Sequence, residues 1–559
     1  MSAPAFDAAA RCVSASSSGR GLGAARRVAS AHRVARVSHR RHASLRAARA
    51  ERVRRRGAAA APCAEKYAVS TEDATAMFDA RFPPGSVPVA VRETACGRGL
   101  VALRPIDEED LLLSIPWRHT VHVFEDGDDD PDDLRLALEL LRVLDDGGDG
   151  PEDERVAIWR DYRPMLPSST GAAAFWTKQN VDELQHADAV DETNALRVKF
   201  EAGATRRADA KHSKKDILWA LSLVHSRSFS VATPEGTARA LVPFADLFNH
   251  KPESPAQARQ TDAVLQAALL EKRFEKDAAH ARSGEPWSVT FDETLGFEAG
   301  ASFEMRAIWR NEPGEEVFIT YGHETSAELL ASYGFFPAPN AGDFVRLYTD
   351  VQDVLDDDRY LSRDGLAAAL AMEREAVMWS ALAVEAPLAV RPGGVANAAH
   401  LLGCLRLMHA HGATLGALRD EDVPHIGHST FVWQGDAPCG LWAESCGEEY
   451  EESSVAVAEP PRASDERVAV DRAALGQAAA RCVEMLAEFP TTLEEDEATL
   501  ATVADGSFFL SLTNSKEDEA ERESAEQYAV AVAYRATVKR LLAGFVEECL
   551  EMGVEPSEW

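Results

Sequence analysis

An apolar run that ends in three polar side chains sets the strongest constraint on how this chain can fold. The segment ALVPFADLFNH, Ala240 to His250, is rich in large apolar residues and yet carries Asp246, Asn249 and His250 within five positions. Its composition predicts burial, and a buried polar side chain costs about 1–3 kcal/mol unless it is hydrogen-bonded. The three polar residues therefore need either a partner elsewhere in the fold or a ligand.

Charge is distributed unevenly along the 559 residues. Residues 1–62 hold fourteen arginines, no lysine and two acidic residues, a balance of +12, so the remainder of the −33 chain carries −45. An Arg-, Ala- and Ser-rich leader that is poor in acid is typical of an organellar transit peptide; a disordered basic tail or a nucleic-acid-binding arm is the alternative. The acidic remainder argues against nucleic acid as the main partner, because phosphate contacts need a positive face.

Cysteine spacing and hydropathy exclude two further classes of protein. The eight cysteines form no CxxC pair, so neither a zinc site nor a disulfide framework is indicated, and no metal is expected. No run of 18 apolar residues occurs, so no membrane-spanning helix is expected. The sequence predicts a folded chain with a protein partner, most plausibly a basic segment, and no membrane.

Secondary-structure signals change along the chain. Val87 to Pro116 predicts short strands joined by the turn CGRG, and helices are predicted at Leu134–Leu144 and in KKDILWALSLVHSRSF. Strand and turn signals return between Trp287 and Phe336. Residues 340–559 alternate helical segments with acidic loops, and YAVAVAYRATVKRLLAGFVEECL has helical apolar spacing.

Three further segments carry residues suited to chemistry. ACGRGLVAL has two glycines that allow close approach of a ligand to the backbone, although such a pair taken alone is more often a hairpin turn. LVHSRSF places Arg227 at a predicted helix end. VFITYGHETSAELLASYGFF supplies Tyr321 and Tyr333 beside glycines.

In this order and spacing, the four segments resemble the SET-domain methyltransferases, in the branch of the RuBisCO large-subunit lysine methyltransferase and the actin-histidine methyltransferase. ADLFNH and ITYG…SYGF carry the resemblance most specifically; WRDYRPMLP…FW, PTTLEEDEATL and YRATVKRLL extend it over most of residues 85–559. The resemblance implies an α+β fold, with a β-rich SET domain at 85–337 that contains a pseudoknot and an inserted helical lobe at about 125–230. An all-α substrate-binding domain would follow at 340–559, after a transit peptide at 1–62.

The resemblance also implies S-adenosylmethionine as the cofactor and assigns its contacts. The backbone of Gly97, Arg98, Gly99 and Leu100 would line one side, and Arg227 would face the cofactor's carboxylate. The backbone of Asn249 and His250 would hold the adenine, and Asn249 would also hold the amino-acid part. Asp246 would either contact the cofactor or anchor the loop by a buried hydrogen bond.

Tyr321 is the expected catalytic residue, because methyl transfer from a sulfonium is an in-line displacement that needs alignment and charge dispersal. Tyr333 is a second candidate for catalysis, with a core aromatic as its structural alternative. Lysine is the expected acceptor; histidine methylation and a catalytically silent binding module remain alternatives. A monomer in the plastid is expected, with the mitochondrion or cytoplasm as alternatives.

Two departures from the resemblance concern the glycine turn and the end of the domain. Cys96 and Arg98 occupy positions at which relatives often carry Glu and an apolar residue. No cysteine-rich segment follows SYGFF, so a zinc cluster cannot close the substrate channel as in the histone-directed subgroup. The C-terminal helical domain is expected to perform that closure.

The leader generates the first testable prediction. A chain that begins at Ala64 should be as active as the full chain, because the Arg-rich segment is expected to serve import and not folding. N-terminal sequencing of the protein purified from its native source checks this directly. Recovery of the intact start, at Met1 or Ser2, would contradict the transit-peptide interpretation.

Overall fold

The computed structural model describes most of the chain outside the leader. The described residues are 66–125, 130–145, 154–252, 286–291, 300–322, 324–349, 353–354, 388–409, 429–434, 437–443, 465–504 and 519–554. The expected transit peptide lies outside these ranges. Among the described residues no helix is both long and apolar enough to cross a membrane, and no group of three acidic, histidine or cysteine side chains could hold a metal ion.

The described residues divide into two compact units. The N-terminal unit comprises residues up to Gly342 together with 502–534, and the C-terminal unit comprises 343–501 together with 535 onwards. The division falls near the end of the expected SET domain. The described residues within 502–534, which the sequence analysis placed in the C-terminal domain, group with the N-terminal unit.

Short strands dominate the N-terminal unit and form small sheets. In chain order they are β1 Lys66–Tyr67, β2 Val89–Thr94, β3 Gly97–Ala102, β4 Leu111–Pro116, β5 Val121–Phe124, β6 Pro167–Ser169, β7 Ser228–Thr233, β8 Gly236–Leu241, β9 Asn249–His250, β10 Trp287–Phe291, β11 Ala301–Arg306 and β12 Phe318–Ile319. Two three-stranded sheets have the orders β10-β11-β4 and β5-β8-β7, and both are antiparallel. The strands predicted between Val87 and Pro116 are confirmed as β2, β3 and β4.

One strand pair runs parallel and joins distant parts of the sequence. Asn249 in β9 is opposite Phe318 in β12, and His250 is opposite Ile319. The backbone N–H of Lys251 donates to the carbonyl of Ile319 at 2.9 Å and extends the pairing. The polar end of the apolar run therefore lies beside the segment that leads into Tyr321.

Helices account for the rest of the N-terminal unit. They are α1 Thr71–Arg81, α2 Asp132–Asp145, α3 Glu154–Tyr162, α4 Lys178–Asp182, α5 Ala187–Arg207, α6 Lys214–Arg227 and α7 Ser326–Tyr333. Five of them, α2 to α6, fall in the expected insert. The two helices predicted there are confirmed: α2 covers Leu134–Leu144, and α6 begins at a capping box made by Ser213 and Asp216 and ends at Arg227.

Helices also dominate the C-terminal unit, with two antiparallel strand pairs beside them. The described elements are β13 Val345–Tyr348, β14 Leu388–Val390, α8 Ala399–His409, β15 Ser429–Gln434, β16 Ala437–Ala443, α9 Asp465–Glu488, α10 Leu493–Ala504 and α11 Glu519–Glu551, the last of which has residues in both units. The helical character is confirmed, but the range is not all α. A Gly-Asp pair at 435–436 between two apolar runs is a hairpin signal that predicts β15 and β16. The sequence analysis did not include these two strands.

Buried ion pairs hold the helices of the C-terminal unit. The carboxylate of Asp496 on α10 binds Arg535 Nε at 2.9 Å and Lys539 Nζ at 2.5 Å, and all three side chains are at most 2% exposed. Lys539 Nζ also donates to the carbonyl and the hydroxyl of Thr491, both at 2.8 Å. One buried carboxylate thus serves two buried cations, so its removal would leave both charges without compensation.

Asp496→Ala is expected to destabilise the C-terminal unit by roughly 3–5 kcal/mol, because it removes the carboxylate that binds two buried cations. Glu497→Ala is the matched control: Glu497 binds Arg540 at 3.2 Å, but both side chains are nearly half exposed, so a change below about 1 kcal/mol is expected. Urea unfolding monitored by circular dichroism would compare the two. Equal losses would contradict a structural role for the buried network.

Candidate functional site

The glycine turn forms a tight hairpin at the edge of the site. β2 and β3 pair from Val89 to Ala102, and Ala95 and Cys96 make the two-residue turn. Gly97 has φ +92°, which only glycine adopts readily, and the Thr94 hydroxyl donates to its carbonyl at 2.9 Å. The turn explanation for Gly97 is therefore correct in this structure.

Gly99 meets a different requirement, the close approach of another segment. A Cβ built on Gly99 would lie 2.5 Å from Glu316 Oε1 and 2.7 Å from Asn249 Nδ2. Those two atoms are themselves hydrogen-bonded at 2.7 Å, and Asn249 Nδ2 also donates to the carbonyl of Arg98 at 3.2 Å. The absent side chain at Gly99 thus lets the Asn249 amide lie against strand β3.

Glu316 was not identified from the sequence. Burial raises the pKa of its carboxyl group, and the hydrogen bonds from Asn249 and Thr94 lower it in part. Glu316 precedes the strand residues VFI, and its neighbour Glu315 is exposed, so a pattern of charge alone could not separate the two. Only the pairing across Gly99 shows which glutamate faces the site.

Asp246 is an anchor that joins three elements. Its carboxylate and carbonyl accept from Arg227 Nη1 at 3.0 and 2.9 Å, and its Oδ1 accepts a hydrogen bond from the hydroxyl of Tyr162 on α3. Burial and the neighbouring Asp246 charge raise the pKa of Tyr162, which stays a donor. Of the two roles expected for Asp246, the buried hydrogen-bond anchor is the one that these contacts support.

A strained turn at Phe244 sets the direction of the residues that end the apolar run. Phe244 has φ +71°, a left-handed conformation that is unfavourable for a bulky side chain. Its ring is packed against Phe78, Phe82 and Tyr162, with centroid distances of 5.9, 5.5 and 4.7 Å. This aromatic packing fixes the turn, and a short 3₁₀ helix, Ala245–Leu247, then leads directly into Asn249.

The backbone and side chain of Tyr321 both bind the apolar run. Its N–H donates to His250 Nδ1 at 3.0 Å, and its hydroxyl donates to the carbonyl of Phe248 at 2.8 Å. Burial lowers the pKa of His250 to about 4, so the imidazole is neutral at physiological pH. A neutral ring with Nδ1 as the acceptor is the state that the Tyr321 N–H requires.

Aromatic rings surround this contact. Tyr333, at the end of α7, stacks on Tyr321 with a centroid distance of 4.9 Å, and Phe335 lies 6.0 Å from Tyr333. Burial, followed by the charge of Glu324, raises the pKa of Tyr333 to about 12. The structure brings both candidate catalytic tyrosines together, and Phe335 joins them as an aromatic wall that the sequence analysis did not name.

Arg98 and Arg227 meet at a residue that the sequence analysis did not consider. Tyr67, in β1, has its ring 3.9 Å from Arg98 Cζ, and its hydroxyl accepts from Arg227 Nη2 at 2.9 Å. Arg98 Nη2 donates to the carbonyl of Val69 at 2.7 Å. Leu100 is fully buried, and its carbonyl accepts from the N–H of Val317. Every residue predicted for the site therefore lies within the N-terminal unit, in elements that contact one another.

The chain is similar to known proteins in sequence and in fold. Residues 444–542 match the family described as Rubisco LSMT substrate-binding. The chloroplastic ribulose-1,5-bisphosphate carboxylase/oxygenase large subunit N-methyltransferase of Nicotiana tabacum is 24% identical over 282 residues, which are 48% of this chain and 50% of that protein. The chloroplastic fructose-bisphosphate aldolase-lysine N-methyltransferase of Arabidopsis thaliana is 27% identical over 259 residues, 43% of this chain and 46% of that protein. The chain thus spans about half the length of the curated relatives it matches.

A solved structure matches over a longer range. The crystal structure of the SET domain of LSMT bound to lysine and AdoHcy superimposes with a TM-score of 0.50 and covers 88% of this chain and 94% of that one. Sequence identity is 18%. The similarity establishes a shared fold.

The buried His250 predicts acid sensitivity. Its pKa is about 4 in the folded chain and about 6.5 when unfolded, so the stability that neutral His250 contributes above pH 6.5 is lost as the pH falls towards 4. His250→Asn keeps an acceptor near Nδ1 but cannot titrate. Between pH 7 and 4.5 the variant should lose about 2 kcal/mol less unfolding free energy than the wild type.

Urea unfolding at both pH values, followed by tryptophan fluorescence, measures this difference. The other histidines with lowered pKa values, His119, His122 and His225, are present in both proteins, so the comparison isolates His250. An identical pH dependence in the two proteins would show that the folded chain holds His250 with an ordinary pKa.

Proposed function

We propose that this chain, a SET-domain protein of the Rubisco LSMT type, transfers the methyl group of S-adenosylmethionine to a lysine side chain of another protein. The observation that carries the proposal is the parallel pairing of β9 with β12. It places Asn249, His250 and Tyr321 beside the Gly97–Leu100 strand. The catalytic and cofactor-binding roles of these residues are part of the proposal.

The residues at the site fit the cofactor. Gly99 leaves strand β3 without a side chain opposite the Asn249 amide, and the buried guanidinium of Arg98 has two nitrogens, Nε and Nη1, without a hydrogen-bond partner in the described structure. The backbone of Gly97–Leu100, together with Arg227, Asn249 and His250, would hold the cofactor. When bound, the cofactor supplies an activated methyl group on a sulfonium.

Tyr321 would align the reacting groups. Its hydroxyl proton is given to the carbonyl of Phe248, so the lone pairs of the phenol oxygen remain available as acceptors. Such an oxygen can orient a methyl group through weak C–H···O contacts. Tyr321 would thus act on the geometry of the transfer, and the hydrogen bond to Phe248 would fix the position of its oxygen.

The acceptor lysine must lose its proton before it can attack. A lysine with a pKa near 10.4 is neutral about once in a thousand molecules at pH ~7.4, a penalty of roughly 4 kcal/mol. The stacked rings of Tyr333 and Tyr321, with Phe335 beside them, offer apolar surface that lowers the pKa of an inserted amine. Tyr333, with a pKa of about 12, is protonated at neutral pH and would line the channel without acting as a base.

Lysine is favoured over histidine as the acceptor. The Arabidopsis relative is named for lysine methylation of an aldolase, and the superimposed structure is bound to lysine. The comparisons give no support to histidine, which the sequence left open. A catalytically silent binding module would need the same fold without methyl transfer, and cofactor titration followed by a turnover assay separates the two functions.

The partner and the compartment follow from different observations. Residues 444–542 belong to a substrate-binding domain type, which supports a protein as the substrate. The relatives from tobacco and Arabidopsis are chloroplastic, and the Arg-rich leader has the composition of a transit peptide, so we propose the plastid. A monomer remains a prediction.

Tyr321→Phe tests the proposed mechanism. The variant keeps the ring and its stacking on Tyr333 but removes the hydroxyl that aligns the methyl group. We expect kcat to fall about 100-fold or more, while the affinity for S-adenosylmethionine changes little, because the interaction is made mainly in the transition state. Single-turnover transfer at saturating cofactor, with calorimetric cofactor binding on the same preparation, measures both quantities.

Tyr348→Phe is the matched control. It also removes one buried phenol hydroxyl, which accepts from Gln477 at 3.1 Å in the C-terminal unit, and turnover should be unchanged. Wild-type turnover in Tyr321→Phe would show that Tyr321 is a packing residue and would transfer the catalytic assignment to Tyr333.

A further inference from the structure

Arg98 is a buried cation whose hydrogen bonds are incomplete. The residue is only 8% exposed, and among the described residues its Nε and Nη1 have no hydrogen-bond partner. In the same part of the chain no carboxylate lies within ion-pair distance of its guanidinium, which contacts the Val69 carbonyl and the Tyr67 ring. A guanidinium in this state is costly, because it has lost water without gaining an anion.

Arg227, the other cation beside Tyr67, is bound differently. Its Nη1 contacts the carboxylate and the carbonyl of Asp246, and its Nη2 contacts the Tyr67 hydroxyl. Asp246 compensates the charge of Arg227, so the two arginines around one tyrosine leave an excess of one positive charge. The excess is located on Arg98.

We infer that the side chain of Arg98 binds the carboxylate of S-adenosylmethionine. The inference rests on the proposed function and goes beyond the role expected from the resemblance, in which only the backbone at this position contacts the cofactor. Arg98 Nε and Nη1 each keep an N–H without a partner among the described residues, and a charge-assisted bond from such an N–H to a carboxylate oxygen is stronger than one to a neutral acceptor. Asp246 holds Arg227 in place as a neighbouring positive group.

The charges of the cofactor select its carboxylate as the bound group. S-adenosylmethionine carries a positive sulfonium, a positive ammonium group and a single negative group, the carboxylate, while adenine and ribose are neutral. A guanidinium beside the sulfonium or the ammonium group would be repelled. Arg98 is on the strand whose carbonyl accepts from the Asn249 amide, so the amino-acid end of a cofactor held by Asn249 would be within reach of this strand.

Calorimetric titration of two ligands tests the inference. S-adenosylmethionine and its decarboxylated form differ only in the carboxylate, so their affinity ratio reports what that group contributes. Arg98→Leu should weaken binding of S-adenosylmethionine 10- to 100-fold and leave binding of the decarboxylated form nearly unchanged. The ratio of the two affinities should therefore fall by the same factor. Arg98→Gln, which keeps length and polarity without charge, should lower the ratio in the same way.

Arg92→Leu is the matched control. Arg92 lies opposite Gly99 in the same hairpin, but its side chain is exposed. The ratio of the affinities of Arg92→Leu for the two ligands should therefore equal that of the wild type. Thermal melts of all four proteins verify that each is folded. Arg98→Leu introduces the apolar side chain that relatives are expected to carry at this position. If Arg98→Leu weakens both ligands equally, or neither, the side chain is structural and the inference is wrong. If the wild type binds neither ligand, the proposed cofactor itself is wrong.

Discussion

The pairing of Asn249–His250 with Phe318–Ile319 is the interaction on which the rest of the site depends. Two residues on each side join segments that are about 70 positions apart, and the register of the pairing determines which side chains meet. With this register, the Tyr321 N–H lies opposite His250 Nδ1, and the Asn249 amide lies opposite Glu316 across Gly99. A shift by one residue would turn these side chains away from each other, because neighbouring side chains in a strand point to opposite faces.

The buried ion pair between Asp246 and Arg227 stabilises the segment that leads into the β9–β12 pairing. Asp246 binds Arg227 at the end of α6 and the hydroxyl of Tyr162 on α3, so two helices of the insert determine where the apolar run ends. The strained turn at Phe244 is maintained by aromatic neighbours from α1 and α3. The helical insert therefore supports the site although it contributes few of the proposed cofactor contacts. Loss of Arg227 would remove the cation that compensates the buried Asp246 carboxylate, and we expect the effect to reach Asn249, three residues away.

Electrostatics connects the proposed chemistry to the choice of partner. The chain outside the leader carries an excess of 45 acidic charges, a balance that favours basic protein segments over nucleic acid as partners. Within the site the Asp246 carboxylate pairs with Arg227, and no described carboxylate pairs with Arg98. The proposed function would combine an acidic chain, suited to a lysine-bearing protein, with a cation suited to the anionic group of the cofactor. Neutral His250 and Tyr333 add no charge beside the proposed methyl-transfer site.

The sequence by itself identified the elements and the motif residues. The strands from Val87 to Pro116 and the end of α6 at Arg227 were predicted, because periodicity and turn glycines are properties of short segments. The resemblance then supplied the expected order of the segments and the expectation that Asn249, His250 and Tyr321 share one site. It could not supply the strands of the C-terminal unit.

Only the tertiary structure decided how the charged and polar side chains are shared. Tyr67, Tyr162 and Glu316 are ordinary residues in ordinary segments, and nothing in their local sequence marks them as partners of Arg98, Asp246 and Asn249. Their roles arise from contacts between residues 31 to 84 positions apart along the chain, where no local pattern constrains the pairing. A motif determines which groups are available. Burial determines which of those groups must find a partner, and this is the basis on which our proposal assigns Arg98 to the ligand.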